Sequence, residues 1–358
     1  TGLTNISNIK AFDYHDGEKY PCDGVLSYRG YNIEDLVAGS KGKRFVFEEG
    51  AYLLLFGELP SEAQLKEFQD HLSECMELPT YFVRDVIMDS PTSDIMGSMT
   101  RSILTLGSYD KQKELLEIPN VLKQSMQLIA TFPMLAVYAY HAYNHYEKNE
   151  SMYIHRPEKN LSLAENFLRM LRPNMQFTEL EARVLDVALL LHMEHGGGNN
   201  STFTTRVVTS SGSDTYSVIS AAMSSLKGKK HGGANLMVMN MMDDIRAHVN
   251  DYADEEEIAA YLSKILNKEA LDKKGLIYGM GHAVYSISDP RERVFKGFVE
   301  QLANEKGRGD DMLLYNNVEK IAPILIAEQR KIFKGVSPNI DFYSGFVYRM
   351  LGIPVQLF

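Results

Sequence analysis

The chain has 358 residues and a formal net charge of −10; 44% of its residues are hydrophobic and 23% are charged. This composition indicates a globular protein with a sizeable core, arranged as one large domain or as two of ordinary size. The acidic balance argues against a nucleic-acid partner, and two cysteines are too few for a disulfide framework or a thiolate metal site.

The sequence gives no sign of a membrane segment. No secretory leader pattern opens the chain, and its longest apolar stretch, residues 128–140, is interrupted by Pro133 and is too short to cross a bilayer. We therefore expect no membrane partner and a cytoplasmic location, where thiols stay reduced.

The predicted elements, taken in chain order, are almost all helical. Strand signals are scarce, and the best of them is a short hairpin near residues 24–31. Four helix starts then combine a capping residue with an acidic or amide residue three positions later: Ser61 with Gln64, Ser162 with Glu165, Thr178 with Glu181, and Asp254 with Glu257. The third helix is predicted to reach Gly196, and a further helix begins around Gly233. The fold class is therefore predicted to be all-α.

Three histidines beside glycines are the first candidate site residues. His195 precedes three glycines, His231 precedes two, and His282 follows Gly281. Glycine lets the backbone approach a ligand closely, and imidazole exchanges protons near neutral pH. His231 precedes a predicted helix N-terminus, which favours anions and a neutral, hydrogen-bond-donating imidazole. The three loops predict one polar pocket assembled from distant parts of the chain.

Two charged side chains complete the candidate site. Arg291, fixed by Pro290 after Asp289, can hold a carboxylate with its guanidinium fork. Asp341 lies in a predicted turn beside the apolar Phe342, and its carboxylate can act as a general base.

A zinc site formed by His192, Glu194 and His195 is the rival interpretation, since two histidines three positions apart can bind zinc. The adjacent glycines favour the approach of a substrate instead, so we expect no metal. Neither common glycine-rich nucleotide motif occurs, which argues against nucleotide folds of those classes.

Five segments resemble the sequence motifs of the citrate synthase family. They comprise an N-terminal motif, three histidine loops and an aspartate segment, and the resemblance extends in order from roughly residue 10 to the chain end: Tyr28–Leu36, Glu194–Asn199, Lys230–Asn235, Gly279–Arg291 and Pro338–Gly345. One such segment is moderately specific, whereas five in order are very specific.

The resemblance implies a fold with a large and a small helical domain that works as a homodimer. Residues 1–232 would form the first part of the large domain, residues 233–345 the small domain, and residues 346–358 a return to the large one. The active site would lie in a cleft that closes on oxaloacetate and excludes water.

The implied reaction condenses acetyl-CoA with oxaloacetate and water to give citrate and free CoA, with no further cofactor. Asp341 would remove a methyl proton of acetyl-CoA, and His231 would donate a hydrogen bond to the thioester oxygen. His282 would polarise the ketone of oxaloacetate and protonate the resulting alkoxide.

The resemblance also implies two sets of binding residues. Oxaloacetate would be held by matching residues of the first and third histidine motifs: His195, Asn199 and Arg291. CoA would be held by residues around the third histidine and aspartate motifs: Tyr278, Gly279, Met280, Gly281, Lys334 and Asn339.

Two features depart from the family pattern. Ser286 stands where a basic residue is common, so a CoA phosphate contact is lost or supplied elsewhere. Relatives continue past the position of Phe358 with a segment carrying another substrate-binding arginine and with one that reaches across the dimer. We therefore expect these 358 residues alone to have weak or no activity.

Two other functions stay open. A 2-methylcitrate synthase would use propionyl-CoA, and one extra methyl changes binding by only about 1–3 kcal/mol. A non-catalytic helical dimer of the same fold is the second alternative. The retained set of His231, His282 and Asp341 argues against it, because a binding module has no use for those acid–base groups.

Overall fold

The computed structural model describes residues 3–40, 42–229, 232–332 and 335–358. The predicted site residues His231 and Lys334 lie outside the described residues. The described part of the chain is mostly helical, in this order: α1 (Ile33–Ser40), α2 (Val46–Phe56), α3 (Glu62–Cys75), a π-helical turn (Val83–Ile87), α4 (Ile95–Tyr109), α5 (Ile118–Lys148), α6 (Leu163–Leu171), α7 (Glu179–His192), α8 (Asn200–Ser210), α9 (Thr215–Leu226), α10 (Ala234–His248), α11 (Glu255–Leu266), α12 (Pro290–Glu305), α13 (Gly309–Arg330), α14 (Asp341–Met350) and a 3₁₀ turn (Val355–Leu357).

A small antiparallel sheet precedes the helices, with strands β1 (Ser7–His15), β2 (Glu18–Tyr28) and β3 (Tyr31–Asn32) in that order. Both connections are two-residue turns whose residues have positive φ: 52° and 83° at residues 16–17, and 49° and 89° at residues 29–30. The predicted hairpin near residues 24–31 corresponds to the second turn. The first hairpin was not predicted, although Asp-Gly is a strong signal for such a turn.

The predicted helix starts are confirmed. In the helices that begin after Ser61, Ser162 and Thr178, the capping hydroxyl accepts the backbone N–H three positions later, and that residue's side chain returns the bond. Asp254 likewise accepts the N–H of Glu257 at 3.1 Å. Each cap satisfies amides that have no partner within the helix.

The predicted end of α7 at Gly196 is wrong, because the helix stops at His192. The Met193 N–H donates to the Leu190 carbonyl, three residues back instead of four. The Glu194 side chain accepts the Gly196 N–H at 2.7 Å. A local side-chain bond of this kind competes with continued helix. Gly196 does have a left-handed φ of 79°, but in the loop that follows rather than as the helix cap.

Contacts divide the chain into two compact units. The first comprises residues 1–6, 42–232 and 357, and the second comprises residues 7–41, 233–356 and 358. The predicted large and small domains stay a prediction; they share the boundary at 232/233 with these units but place residues 7–41, 346–356 and 358 with the large domain. Arg293 shows why the N-terminal segment groups with the later residues: its guanidinium donates to the Gly24 carbonyl at 3.0 Å and to Glu34 at 2.6 Å.

The first unit packs around the long helix α5, which contacts α3, α4, α6 and α9. None of the helices in the described residues is both long and apolar enough to cross a membrane. This core also buries two carboxyl groups that tie helix starts together. Glu48 accepts the Leu163 N–H at 2.8 Å, and Asp186 accepts the N–H groups of Val46 and Phe47, both at 2.9 Å.

The buried Glu48 predicts that the stability of this protein falls at alkaline pH. Burial, and then the charge of Asp186, raise the pKa of Glu48. A carboxyl whose pKa is raised by folding stabilises the fold most below its ordinary pKa, and this contribution is lost as pH rises through the folded-state value. We expect Glu48→Gln to be more stable than the wild type at alkaline pH, because glutamine cannot ionise. Each pH unit by which folding raises the pKa of Glu48 corresponds to a gain in the free energy of unfolding on the order of 1 kcal/mol.

Thermal unfolding across pH measures this effect, with Glu67→Gln as the control because Glu67 is exposed on α3. A gain in stability of Glu48→Gln over the wild type that stayed constant from acid to alkaline pH would contradict a raised pKa of Glu48 in the folded protein.

Candidate active site

Two segments of the second unit pair side by side and carry the predicted catalytic residues. The Gly281 N–H donates to the Ser337 carbonyl at 2.7 Å, and the Asn339 N–H donates to the Gly279 carbonyl at 2.9 Å. The Asn339 side chain adds a bond to the Gly281 carbonyl at 2.8 Å. The predicted CoA-binding residues Tyr278–Gly281 and Asn339 therefore lie together, directly before His282 and Asp341.

The imidazole of His282 is held by backbone amides. Its Nδ1 accepts the N–H of Val284 at 3.0 Å and that of Tyr285 at 3.3 Å. Burial, and then the positive charge of Arg291, lower the pKa of His282. A neutral ring whose Nδ1 accepts hydrogen bonds carries its proton on Nε2. Nε2–H is thus the donor side of this histidine, as a group that polarises a carbonyl requires.

Arg291 forms a buried ion pair with Asp289. Its Nε and Nη2 contact the two carboxylate oxygens at 3.1 and 2.8 Å, and the two residues are 8% and 1% exposed. Burial alone would raise the pKa of Asp289, but the Arg291 guanidinium holds that pKa below its usual range. Asp289 also accepts the Ile340 N–H at 3.2 Å. The sequence motifs assigned no role to Asp289, so its contact with the aspartate segment was not predicted.

Asp341 is the first residue of α14, rather than part of a turn as predicted. Its backbone N–H donates to Asn339 Oδ1 at 3.0 Å, and the next two residues, Phe342 and Tyr343, are completely buried. The charge of Asp341 acts on both His282 and Arg291. The second unit therefore brings three predicted site residues together.

A single methyl group added at Gly279 is predicted to lower both stability and turnover. Its φ is +80°, and an added Cβ would lie 2.9 Å from Val238 Cγ2 and 3.1 Å from the Phe342 Cα. Because the Phe342 backbone adjoins Asp341, it cannot yield without moving the start of α14. We expect Gly279→Ala to lower the free energy of unfolding by about 1–3 kcal/mol and to reduce turnover.

Chemical denaturation measures the loss of stability. Gly281→Ala is the matched control, because Gly281 has a φ of +85° but open space around the added Cβ. Equal losses in the two variants would show that φ strain alone, and not the contact with α14, is responsible.

The first unit carries the other predicted substrate residues. His195 is partly buried in the loop between α7 and α8. Asn199 is the N-cap of α8: its Oδ1 accepts the Thr202 N–H and the Ser201 hydroxyl, both at 2.8 Å. The substrate-binding roles of His195 and Asn199 stay predictions. No group of three potential ligands suited to a metal occurs within the described ranges, and His192 Nδ1 contacts the Ala188 carbonyl of its own helix at 2.7 Å.

Comparison with known sequences gives one consistent result. Residues 1–358 match the family model described as the C-terminal domain of citrate synthase. A citrate synthase of Synechocystis sp. is 34% identical over 100% of this chain and 82% of its own length. A 2-methylcitrate synthase of Shewanella oneidensis is 33% identical over 93% of this chain and 80% of its own length.

Solved structures share the fold. The citrate synthase of Pyrobaculum aerophilum superposes with a TM-score of 0.80 and 27% identity, covering 100% of this chain and 82% of that one. The citrate synthase of Thermoplasma acidophilum, solved as a ternary complex with carboxymethyl coenzyme A and oxaloacetate, gives a TM-score of 0.78 and 25% identity, covering 99% of this chain and 83% of that one.

Proposed function

This chain belongs to the citrate synthase family, and from that premise we propose that it condenses acetyl-CoA with oxaloacetate and water to give citrate and free CoA. The observation that carries the proposal is the meeting of His282, Arg291 and Asp341 in one unit, where the charges of Arg291 and Asp341 both act on the His282 imidazole. Relatives of the family bear names for this reaction at 31–35% identity.

The first step forms a carbon nucleophile. The Asp341 carboxylate removes a methyl proton of acetyl-CoA, and electron density moves to the thioester oxygen. A hydrogen bond from His231 to that oxygen stabilises the enol, as preorganised donors do where charge develops. A weak carbon acid needs both groups, because a carboxylate base alone leaves the developing charge unsupported.

The second step joins the two substrates. His282 Nε2–H donates to the ketone oxygen of oxaloacetate, the enol carbon attacks the carbonyl carbon, and the alkoxide takes the proton from Nε2. Water then cleaves the citryl thioester and releases CoA. Because Nδ1 already accepts two backbone amides, the ring keeps its orientation while Nε2 loses and regains the proton.

Binding of the substrates is assigned to the predicted residues. Arg291, His195 and Asn199 hold oxaloacetate, and the paired segments around Gly279–Gly281 and Asn339, together with Lys334, hold CoA. The Thermoplasma relative binds oxaloacetate and a CoA analogue, which supports the same substrate pair here. We propose no further cofactor.

We also propose a homodimer in the cytoplasm. Helix α8 has no buried residue, and Phe203 and Val207, one turn apart on it, are 51% and 50% exposed. An apolar helix face of this kind is typical of a surface that is covered by a partner. Both described cysteines are free thiols, which fits a reducing compartment.

The 2-methylcitrate reaction is the second candidate, favoured by the Shewanella relative. Release of CoA by the full-length protein, measured with oxaloacetate and either acetyl-CoA or propionyl-CoA, decides between them. A higher kcat/KM with acetyl-CoA supports the proposal, and a higher value with propionyl-CoA supports the alternative. No release with either substrate, from a folded dimer, would leave only the non-catalytic helical dimer.

A further inference from the structure

Strand β2 lies against the site loop, by which we mean residues 282–290, from the third histidine to the first residue of α12. The Gly24 N–H donates to Ser288 Oγ at 3.2 Å, and Arg293 donates to the Gly24 carbonyl at 3.0 Å. Arg293 also donates to Ser288 Oγ, and the Ser288 hydroxyl donates to Asp23 at 2.9 Å. These four residues form a strand clamp: Asp23, Gly24, Ser288 and Arg293.

Gly24 is required by space rather than by φ. Its φ lies outside the left-handed region. An added Cβ would nevertheless lie 2.3 Å from the Ser288 carbonyl oxygen, 2.6 Å from Tyr285 Cδ1 and 2.9 Å from Pro290 Cδ. All three atoms belong to the site loop. Strand and loop therefore approach each other more closely here than a residue with a side chain allows.

Tyr285 connects this contact to the imidazole of His282. The centroids of the two rings are 4.8 Å apart, and the Tyr285 N–H donates to His282 Nδ1 at 3.3 Å. Tyr285 is 2% exposed, and a closely packed interior leaves its ring little room to rotate. A push on Tyr285 from the strand would therefore move the group that orients His282.

The strand is anchored beyond Gly24, so the site loop is the part that yields. Leu26 and Tyr28 are both 0% exposed, and residues 25–28 pair with residues 7–10 of β1. Withdrawal of the strand would expose two large apolar side chains and break the bonds of the strand clamp. An added methyl group at Gly24 is therefore accommodated by displacement of the loop.

Arg293 joins the strand clamp to the start of α12. Its guanidinium lies 2.6 Å from Glu34 of α1 and 3.4 Å from Asp23 of β2. The two carboxylates hold the guanidinium between the N-terminal segment and the helix that carries Arg291. The same side chain thus fixes the far end of the site loop.

We propose that strand β2 holds the site loop in its working geometry through the strand clamp and the close contact at Gly24, which makes Gly24, Tyr285 and Ser288 positioning residues for His282. The positioning role rests on the proposed function, because it concerns the donor to the ketone of oxaloacetate. The holding of the loop by the strand does not depend on that function.

Arg291 has its own support, so the effect on the two site residues differs. Arg291 is paired with Asp289 at 2.8 Å, and Asp289 accepts the Ile340 N–H at 3.2 Å. These bonds stay when the strand no longer holds the loop. Loss of the strand contact should therefore lower kcat through His282 and leave KM for oxaloacetate little changed.

Gly24→Ala tests the close contact. We expect kcat to fall by about tenfold to a hundredfold, as misplacement on the order of 1 Å does. KM for oxaloacetate should change little. Gly39→Ala is the matched control, because Gly39 lies in α1 of the same unit, and its added Cβ meets no atom within 4 Å.

Hydrogen exchange gives a second readout that needs no activity. The N–H groups of Val284 and Tyr285 donate to His282 Nδ1 at 3.0 and 3.3 Å. Mass spectrometry of the peptide that covers the site loop should show faster exchange in Gly24→Ala than in the wild type. The same peptide should be unchanged in Gly39→Ala.

A destabilised control separates misplacement from loss of stability. Asp254→Ala removes the N-cap of α11 in the same unit, so it should lower Tm without altering kcat. If Asp254→Ala and Gly24→Ala lower kcat equally at similar Tm, the loss reflects instability and the proposal is overturned.

Two substitutions at Ser288 serve if Gly24→Ala does not fold. Ser288→Ala removes the hydroxyl at which three bonds of the strand clamp meet. It should lower kcat less than Gly24→Ala does, because the backbone contact stays. Ser288→Thr keeps the hydroxyl and should restore kcat. Equal values of kcat in the wild type and Ser288→Ala would contradict the role of the strand clamp.

The remaining outcomes distinguish the proposal from the proposed function. If Gly24→Ala changes neither kcat nor exchange in the site loop, the proposal is overturned. If the loop exchanges faster while kcat stays at the wild-type value, the positioning role is overturned. If the wild type shows no activity, the proposed function and the positioning role fail together, and hydrogen exchange still decides whether the strand holds the loop.

Discussion

Replacing Asp341 with asparagine is expected to lower kcat by about 10²–10⁴-fold, the usual contribution of a positioned general base. Asparagine has nearly the same shape and can begin α14 in the same way, but its amide cannot accept the methyl proton of acetyl-CoA. The affinity for oxaloacetate should change little, since in the proposed mechanism Arg291, His195 and Asn199 hold that substrate. Calorimetric titration with oxaloacetate and CoA release, measured on the same preparation, test both statements.

Asp310→Asn provides the control, because Asp310 is an exposed carboxylate in the first turn of α13. It makes the same chemical change in the same unit, and it should leave kcat unaltered. Retained turnover in Asp341→Asn would show that another group takes the proton. Loss of oxaloacetate binding together with turnover would show instead that Asp341 shapes the binding site.

Replacing Asp289 with alanine is expected to lower the free energy of unfolding by about 3–5 kcal/mol, because it leaves the Arg291 guanidinium buried without its partner. The substitution also removes the N-cap of α12 and the bond to the Ile340 N–H. KM for oxaloacetate should rise as well, since Arg291 loses the carboxylate that orients it. Urea denaturation and steady-state kinetics measure the two effects.

The pH dependence of this loss has a definite sign. Arg291 holds the pKa of Asp289 below its usual range although burial opposes it. A lowered pKa gives stability that is present above the ordinary aspartate pKa and is lost as pH falls through the folded value. The gap between the wild type and Asp289→Ala should therefore narrow in acid.

Asp70→Ala breaks an exposed ion pair with Lys66 on α3 and should cost only about 0–1 kcal/mol. A loss in Asp289→Ala no greater than in this control would mean that the buried pair adds nothing to stability.

Local sequence signals predicted the helix starts because capping is a short-range interaction. Ser162 and Glu165 are three residues apart, and every atom of that cap lies within one turn. The turn at residues 29–30 is likewise formed by neighbouring residues, so its signal is also local. The first hairpin was missed because its strands alternate weakly between apolar and polar residues, so the Asp-Gly turn was the main signal.

Long-range polar contacts were beyond what the sequence could predict. Asp289 and Ile340 are 51 positions apart, and nothing in either segment identifies the other as its partner. The orientation of His282 depends on which ring nitrogen meets the amides of Val284 and Tyr285, which the motif does not specify. Motifs thus identified the kinds of group at the site, whereas packing determined their hydrogen-bonding states.

The grouping of residues 7–41 with the later part of the chain has a consequence for folding order. The Gly24 N–H meets the Ser288 side chain, 264 positions away, so this contact cannot form on the ribosome until most of the polypeptide has emerged. Closing a loop of that length has an entropic cost, and non-local contacts slow folding. We therefore expect the unit containing α2 to α9 to acquire protection from hydrogen exchange during synthesis, and the sheet of β1–β3 to acquire it later although it is synthesised before that unit.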